Sequence, residues 1–303
     1  MISTTEQHIS HGVSFSDVEP VSNSIGSVDS IKPKGIFYPT PGNDGAMARV
    51  RIPGGFLDAQ QLRQIASITE DLTSGYIQIT TRANLQIRVI QPENTDRVLK
   101  RLRKAGFHPA GAGADNPRNV TTNPTTGFDP FELIDTSPYV RQISKRVTSD
   151  PSLSNIPGKY NIALDNGGQA TVMEDSNDLS AHAVSFGGND VKFRISLGGV
   201  GEKKDLGILV ESRHLTETMV AIMKMHNRLR EQKQRLRFRA KYLWEKYTKK
   251  ELLEELMEEV PEGVPIQRTT IPRPKPFAHS MIEHPHAGIF SQKQHGLNYI
   301  GVA

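Results

Sequence analysis

The amino-acid sequence predicts an α+β protein, because strand patterns and helix patterns alternate along two successive regions of the chain. In the first region, three short segments alternate apolar and polar residues, as half-buried strands do, and two longer segments carry apolar residues at helical spacing. Asp58 is placed to cap the first helix, and Gly106 is placed to end the second. The strands are predicted over 46–52, 76–81 and 84–90, and the helices over 58–73 and 94–105.

A second region repeats this mixture of patterns. A helix is predicted over 131–148, and strands are predicted over 160–164 and 191–197. The segment 111–129 is rich in Gly, Asn, Thr and Pro, so it is predicted to be a loop. One or two long helices are predicted over 216–260, and a Pro-rich extended tail follows them.

The composition excludes several kinds of site. The 303 residues include 37 Lys and Arg against 33 Asp and Glu, a formal net charge of +4, and aromatic residues make up only 6%. No aromatic platform for nucleic acid stands out. The chain contains no cysteine, so it cannot itself supply a disulfide, a thiolate nucleophile, or cysteine ligands for zinc or an iron–sulfur cluster.

The sequence also shows no targeting or membrane segment. No stretch approaches the apolar length that a membrane span needs, and residues 1–30 are polar and Ser-rich without an apolar signal core. We therefore expect a cytoplasmic protein whose residues 1–30 form a disordered tail.

A short internal repeat links the two ends of the sequence. Gly35-Ile36-Phe37 precedes a predicted strand that begins near Gly45, and Gly288-Ile289-Phe290 precedes another that begins near Gly296. The match suggests a second copy of the first strand pair, although a tripeptide also recurs by chance.

Arginines and amides line the same face of predicted strands in the first region. Residues two apart on a strand project to one side, and guanidinium groups bind carboxylates through paired hydrogen bonds. Such a face suits a ligand with several carboxylates, whereas a solvated sheet face is the common alternative. The residues concerned are Arg49 and Arg51 on one strand, and Arg82, Asn84, Gln86 and Arg88 on another.

Three further polar residues lie in the second region. Arg118 belongs to the predicted loop, and Lys159 and Asn161 lie two apart at the start of a predicted strand. If they converge with Arg49 and Arg51, they form a small cationic pocket that favours a small anion. The alternative is an ordinary turn and a strand edge protected by lysine.

Two other features favour a structural interpretation. His279, His284 and His286 lie in a Pro-rich segment with few carboxylates nearby, so we predict no metal site. The basic stretch 228–250 has charges on all sides and an acidic stretch after it, so a solvated or interdomain helix is favoured over a nucleic-acid face.

Four motifs in order resemble the N-terminal half of the siroheme-dependent nitrite and sulfite reductases. The resemblance extends from about Ile31 to the last residue and is closest to assimilatory ferredoxin-dependent nitrite reductase. The motifs are Ala48-Arg49-Val50-Arg51-Ile52-Pro53-Gly54-Gly55, Thr80-Thr81-Arg82-Ala83-Asn84-Leu85-Gln86, Gly113-Ala114-Asp115-Asn116-Pro117-Arg118-Asn119-Val120 and Lys159-Tyr160-Asn161-Ile162-Ala163.

The resemblance implies a domain organisation. It predicts a ferredoxin-like half domain over 31–110, followed by the first copy of a siroheme-binding α/β domain over 111–215. Long helices over 216–260 serve as a linker, and 261–303 is an extended segment that leads into a second repeat.

The resemblance also implies cofactors and residue roles. Family members couple siroheme to a 4Fe-4S cluster and take six electrons from ferredoxin or a flavoprotein. Their substrate is nitrite, which they reduce to ammonia in nitrate assimilation, or sulfite. Arg82, Asn84, Gln86, Arg88 and Asn119 match residues that meet siroheme carboxylates. The anion-binding and proton-donor set is matched by Arg49, Arg51, Arg118, Lys159 and Asn161. Asn161 resembles the nitrite reductases, since sulfite reductases tend to carry lysine there.

The resemblance leaves part of the family site outside this sequence. The cluster cysteines of the family lie in its second half, and the segment from Gly288 to Val302 looks like the opening of that half. The sequence thus predicts a partial siroheme site and a truncated or split enzyme. It would be completed by a separate polypeptide carrying the cysteine half, or would self-associate.

Other functions fit the same residues. The chain could be a tetrapyrrole- or anion-binding module without turnover, or half of a protein like precorrin-3B synthase, which shares the scaffold. The adjacent DNA distinguishes the enzyme from the binding module. A continuation that encodes the cluster cysteines favours the enzyme, and unrelated sequence there favours the binding module.

Overall fold

A computed structural model gives the structure of most of the chain. It describes residues 46–107, 117–153, 156–157, 160–172, 177–187, 190–199, 204–230, 239–271 and 287–302, and the backbone of 36–37. Side chains are not described at 117 and 118. The described residues fall into two compact units. The first comprises residues up to 50 with 56–79 and 85–109, and the second comprises 51–55, 80–84 and the chain from 110 onwards.

The first unit is a four-stranded antiparallel sheet with two helices. Its elements are β1 (Ile36–Phe37), β2 (Ala46–Val50), α1 (Ala59–Leu72), β3 (Ile77–Ile79), β4 (Leu85–Ile90) and α2 (Thr95–Lys104), and the strand order is β1-β2-β4-β3. Alternate residues of β2 and β4 are buried, as their apolar–polar alternation requires. The three predicted strands and two predicted helices are present, but the strands are shorter than predicted: β2 ends at Val50, β3 ends at Ile79 and β4 begins at Leu85.

The start of α1 is fixed by its cap. The carboxylate of Asp58 accepts the backbone N–H of Gln61 at 2.6 Å, and the side chain of Gln61 accepts the N–H of Asp58 at 3.1 Å. This capping box satisfies two donors that a helix start leaves open. Ile65, Ile68 and Leu72 then project from one side of α1 into the core.

The second unit is built around a six-stranded mixed sheet with the order β10-β9-β8-β7-β6-β5. Strands β5, β6 and β7 run parallel, and the remaining neighbours are antiparallel. The elements are β5 (Pro117–Thr122), α3 (Ser137–Ser149), β6 (Tyr160–Asp165), β7 (Leu179–Ser185), β8 (Val191–Leu197), β9 (Asp205–Glu211), α4 (Leu215–Leu229), α5 (Leu243–Lys246), α6 (Lys249–Met257), β10 (Gln267–Arg268), β11 (Gly288–Ser291) and β12 (Asn298–Gly301).

The two faces of this sheet differ in chemistry, although both are buried. One face is apolar and meets the helices: Tyr160 of β6 packs on His226 of α4, with ring centres 5.0 Å apart, and Phe193 of β8 meets Tyr139 of α3 at 5.7 Å. The alternate residues of the same strands are largely polar. On the strands β6 to β8 these are Asn161, Asp165, Ser180, His182, Arg194 and Ser196, all buried.

The structure corrects several predictions in this unit. Part of the predicted loop 111–129 is the parallel strand β5, whose buried polar side chains hide the usual strand pattern. Strands β7 and β9 were not predicted, because they are buried on both faces and lack the alternation of a half-exposed strand. The helix predicted over 131–148 begins only at Ser137.

The predicted long helical linker is also wrong. The described residues of 216–260, which are 216–230 and 239–260, form three separate helices rather than one or two long ones. The first of them, α4, is largely buried. Residue Arg239 is extended, with φ −88° and ψ 152°, so no continuous basic helix covers 228–250. The helix α4 belongs to the packed layer of the second unit.

Strands β11 and β12 form a separate hairpin that rests on the loop before α3. Phe290 and Tyr299 are cross-strand partners with stacked rings, and Tyr299 also meets Phe128, with ring centres 5.6 Å apart. Lys293 donates to the buried carboxylate of Glu132. In the first unit, Phe37 likewise pairs with Met47, so both Ile-Phe dipeptides of the repeat lie in antiparallel strand pairs.

Within the described ranges, none of the helices has the length and apolar character needed to cross a bilayer.

Removing the cap of α1 should destabilise the protein. We expect Asp58→Ala to lower the free energy of unfolding by about 0.5–2 kcal/mol, since the backbone N–H of Gln61 loses its side-chain acceptor. Urea denaturation followed by circular dichroism measures this change.

Glu70→Ala is the matched control, because Glu70 is an exposed residue in the same helix. We expect its effect to stay within about 0.5 kcal/mol. Equal losses in the two variants would show that the capping box contributes nothing specific.

Candidate functional site

The backbone N–H and the backbone carbonyl of Ile52 are each hydrogen-bonded to the side chain of a buried asparagine. The side chain of Asn84 accepts the N–H of Ile52 at 3.1 Å, and the amide of Asn119 donates to the carbonyl of Ile52 at 2.8 Å. Asn119 also donates to the carbonyl of Arg82 at 2.8 Å. Because Asn84 and Asn119 are 2% and 3% exposed, these bonds have no competition from solvent. We call this arrangement the asparagine clamp.

The asparagine clamp brings together three of the predicted site positions in the second unit. Arg51 precedes Ile52, Arg82 is itself held by Asn119, and Arg118 precedes Asn119 on β5. The side chains of Arg51 and Arg82 are half-buried. The side chain of Arg118 lies outside the described residues, as do the backbone and side chain of Lys159.

Residues 80–84 form a turn rather than the start of a strand. Thr80 accepts the N–H groups of Arg82 and Asn84 through its hydroxyl, at 3.3 and 3.1 Å, and Ala83 has a positive φ of 53°. The prediction that Arg82 and Asn84 share a strand face with Gln86 is therefore wrong. Asn84 points into the clamp, and Arg82 donates to the side chain of Asn177 at 2.8 Å.

The remaining predicted strand-face residues do share one face in the first unit. Arg49 of β2 lies directly opposite Gln86 of β4, and Arg88 follows two residues later. All three are half-buried, whereas their alternate neighbours are in the core. Burial lowers the pKa of Arg49, because desolvation disfavours its charged form.

A buried carboxylate organises the start of β7. Asp178 is 1% exposed and accepts the backbone N–H of Asn161 at 3.0 Å and that of Ala240 at 3.0 Å. Arg239 donates to both carboxylate oxygens, at 2.7 and 2.9 Å, and this hydrogen bonding raises the pKa of Arg239. Asp178 therefore fixes the backbone of the predicted anion ligand Asn161.

The buried polar face of the six-stranded sheet contains a second buried carboxylate, Asp165, which is paired with a histidine. Asp165 of β6 lies 3.0 Å from Nδ1 of His182 on β7. Burial by itself would raise the pKa of Asp165, but hydrogen bonds from His182, Thr171 and Gly167 hold the pKa below the ordinary aspartate value. Asp165 is therefore a stable anion inside the unit.

The described residues fit one of the two cofactors that the resemblance implies. In the second unit, Arg82 is a cationic donor of the kind that binds carboxylates, which is the chemistry required at a siroheme periphery. In the first unit, Arg49, Gln86 and Arg88 are donors of the same kind. The 4Fe-4S cluster does not fit, since it needs thiolate ligands and the sequence has no cysteine.

Metal ligation by other residues finds no support in the described part of the chain. No group of three or more His, Asp or Glu side chains gathers there in a way that could hold an ion. The residues His279, His284 and His286 lie outside the described ranges.

Sequence reasoning missed the residues that position the site. Asp178, Arg239, Asp165 and His182 are each separated in the sequence from the partners they bind. Only the pairing of β6 with β7 brings Asp165 beside His182. The short polar run Asn177-Asp178 before an apolar strand is the one local signal that could have marked a strand-end carboxylate.

Family models match most of the chain. The model described as the nitrite/sulfite reductase ferredoxin-like half domain matches residues 38–105. The model described as the nitrite and sulphite reductase 4Fe-4S domain matches residues 113–263. The matched residues contain no cysteine.

Named relatives agree with these models. The chain is 30% identical over 279 residues to a ferredoxin–nitrite reductase of Leptolyngbya laminosa, covering 88% of this chain and 53% of the relative. It is 29% identical to a ferredoxin sulfite reductase of Mycolicibacterium paratuberculosis, covering 85% and 46%. The NirA protein structure from Mycobacterium tuberculosis superposes with a TM-score of 0.69 and 25% identity, covering 84% and 46%. The chain thus spans about half the length of these relatives.

Breaking the asparagine clamp should destabilise the second unit. Asn119→Ala removes one donor from the carbonyl of Arg82 and one from the carbonyl of Ile52, which keeps the N–H of Gly55 at 2.9 Å. We expect the free energy of unfolding, measured by urea denaturation, to fall by about 1–3 kcal/mol.

Asn298→Ala is the control, because Asn298 is exposed on the hairpin. The free energy of unfolding of Asn298→Ala should stay near that of the unmodified chain. A loss for Asn119→Ala as small as that for Asn298→Ala would contradict the structural role of the clamp.

Asp165 should give the protein a specific acid sensitivity. Because its folded pKa is lower than its unfolded one, Asp165 stabilises the protein above about pH 4, and this contribution is lost as the pH falls further. We expect Asp165→Asn to have a lower free energy of unfolding than the unmodified chain at neutral pH. This difference in free energy should narrow below about pH 4.

Chemical denaturation at several pH values measures this narrowing. Asp96→Asn changes an exposed aspartate and should show no such narrowing. A constant difference between Asp165→Asn and the unmodified chain at all pH values would show that Asp165 is not a stabilising anion.

Proposed function

Because the chain belongs to the nitrite and sulfite reductase family, we propose that it carries the siroheme-carboxylate contacts and the anion contacts of a nitrite-reducing enzyme. The observation that supports this proposal is the asparagine clamp, whose hydrogen bonds join the backbones of Ile52 and Arg82 to Asn119 in the second unit. The predicted ligands Arg51, Arg82 and Arg118 each belong to one of these joined segments, and cationic residues on adjoining rigid segments suit an anionic ligand.

Nitrite is the proposed substrate and ammonia the proposed product. Asn161 supports nitrite over sulfite, since its amide is neutral where the sulfite-reducing relatives are expected to carry lysine. Ferredoxin is the proposed electron donor, because the similar proteins are named ferredoxin–nitrite reductase and ferredoxin sulfite reductase. Reduction to ammonia consumes six electrons and several protons, so the site has to deliver both.

Siroheme, when bound, would supply the iron at which the electrons reach the substrate. In the second unit, the proposed ligand for its carboxylates is Arg82, whose guanidinium also donates to Asn177. In the first unit, considered by itself, Arg49, Gln86 and Arg88 remain predicted carboxylate-binding residues on one sheet face. Guanidinium groups suit this task, because they stay protonated and bind carboxylates through two hydrogen bonds. Asn84 and Asn119 support the site by holding the backbone around Arg82.

The anion itself is proposed to meet Asn161, Arg51, Arg118 and Lys159. Asn161 is the best defined of these, because Asp178 holds its backbone N–H at 3.0 Å and the residue is 7% exposed. An orienting residue of this kind lowers the cost of positioning a small substrate. Thiolates for a 4Fe-4S cluster would have to come from residues that this sequence does not contain.

Arg82 should matter for siroheme binding more than a surface arginine does. We expect Arg82→Ala to weaken siroheme binding by about 10- to 100-fold, which corresponds to the loss of a charge-assisted hydrogen bond. An absorbance titration of the purified chain with siroheme measures the affinity.

Arg63→Ala is the matched control, because Arg63 is exposed on α1. Arg82→Lys separates charge from geometry, and we expect it to recover part of the affinity. Equal weakening by Arg82→Ala and Arg63→Ala would contradict the proposed carboxylate site. Tight siroheme binding without nitrite binding would favour a tetrapyrrole-binding module instead.

A further inference from the structure

Strand β4 of the first unit contains one residue more than its pairing with β2 requires. Ala48 lies opposite Ile87, and Ala46 lies opposite Ile90, so two steps along β2 correspond to three steps along β4. The segment between Ile87 and Ile90 is therefore a β-bulge, in which two residues face a single residue of the neighbouring strand. A bulge bends its strand, increases the local twist and changes the direction of a side chain.

The bulge contains a residue with a strained backbone. Val89 has a φ of 57°, which lies in the left-handed region that β-branched residues avoid for steric reasons. Glycine adopts this conformation readily, because it has no Cβ atom to clash with the backbone. The first unit therefore contains a valine at a position where glycine would make the fold more stable.

Packing of the core does not account for this strain. Ile87 and Ile90 are both 0% exposed, although residues of one strand face are normally two positions apart. If Val89 were absent, Ile90 would follow Ile87 by two positions and would reach the core by regular alternation. A strand shorter by one residue would thus bury the same isoleucines without a bulge, so the reason for the bulge lies outside the core.

Strained residues directly follow two of the predicted carboxylate-binding arginines. Among the described residues, the non-glycine residues with a positive φ are Ala83 in the second unit and Val89 in the first. Ala83 comes directly after Arg82, and Val89 comes directly after Arg88. Backbone strain concentrates at functional sites, where it preorganises the groups that bind a ligand. The position of Val89 therefore points to Arg88 as the residue that the bulge serves.

The direction of Arg88 matters because a second arginine lies near it. Arg49 of β2 is opposite Gln86, and Arg88 follows Gln86 by two residues, so Arg49 and Arg88 are diagonal neighbours. Such neighbours lie about 7–8 Å apart in a regular sheet, and the added twist of a bulge changes that geometry. Guanidinium groups bind carboxylates through paired hydrogen bonds only when their planes are correctly directed.

We propose that Val89 is a positioning residue, whose left-handed conformation directs the side chain of Arg88 toward a ligand carboxylate. This role rests on the proposed function, because it takes Arg88 as a residue that binds a carboxylate of siroheme. Val89 acts through Arg88 and makes no contact with the ligand itself. The strain persists because a regular strand would direct Arg88 differently.

Two variants separate the strain from the direction of Arg88. Val89→Gly keeps the bulge and removes the strain, so we expect a higher urea midpoint of unfolding and a siroheme affinity within about twofold of the unmodified chain. Deletion of Val89 removes the bulge, so we expect a midpoint at least as high as that of the unmodified chain and a siroheme affinity weakened by about tenfold. Urea denaturation and an absorbance titration with siroheme measure the two quantities.

A double-mutant cycle shows whether the bulge acts through Arg88. Arg88→Ala should weaken siroheme binding by about tenfold in the unmodified chain and hardly at all in the chain without Val89, because coupled residues are not additive. Ala66→Gly is the control for the glycine substitution, since Ala66 is an exposed residue of the helix α1. It should lower the urea midpoint, because glycine weakens a helix.

Unchanged siroheme affinity in the chain without Val89 would overturn the positioning role alone, and so would equal weakening by Arg88→Ala in both chains. A lower urea midpoint for Val89→Gly would show that Val89 is not strained. A chain without Val89 that does not fold would show that the extra residue serves the fold itself, and either result would also overturn the role. No siroheme binding by the unmodified chain would contradict the proposed function together with this role.

Discussion

The asparagine clamp on Ile52 is the interaction on which the candidate site depends. Asn84 accepts the backbone N–H of Ile52, and Asn119 donates to its backbone carbonyl. These bonds fix a segment that lies outside the strands on either side of it. The carbonyl of Arg82 shares the second asparagine. Because each bond is buried, loss of one asparagine removes a hydrogen bond that solvent does not replace. The segments that carry Arg51, Arg82 and Arg118 would then lose their common anchor.

The second constraint is that the six-stranded sheet is buried on both sides while only one side is apolar. Buried polar groups must be paired, and the pairing is done by carboxylates placed between strands: Asp178 with Arg239, and Asp165 with His182. These pairs hold the strand ends in place, and they account for the buried polar side of the sheet.

The chain matches two models of the nitrite and sulfite reductase family, the ferredoxin-like half domain and the domain named for the 4Fe-4S cluster. It spans about half the length of its relatives and contains no cysteine. Its own residues therefore offer guanidinium, amide and carboxylate groups but no thiolate, which is the ligand that a 4Fe-4S cluster requires.

The sequence by itself determined the elements whose pattern is local. The half-exposed strands β2 and β4 follow from their alternation, α1 follows from helical spacing with Asp58 as its cap, and the lack of cysteine decides which ligands the chain can offer. The family motifs also predicted Arg82 and Asn161 as site residues. Only the tertiary structure decided the rest: β7 is buried on both faces, residues 80–84 turn away from the strand, and Asp165 meets His182 across two strands. These features depend on contacts between distant residues, which no local pattern of polarity records.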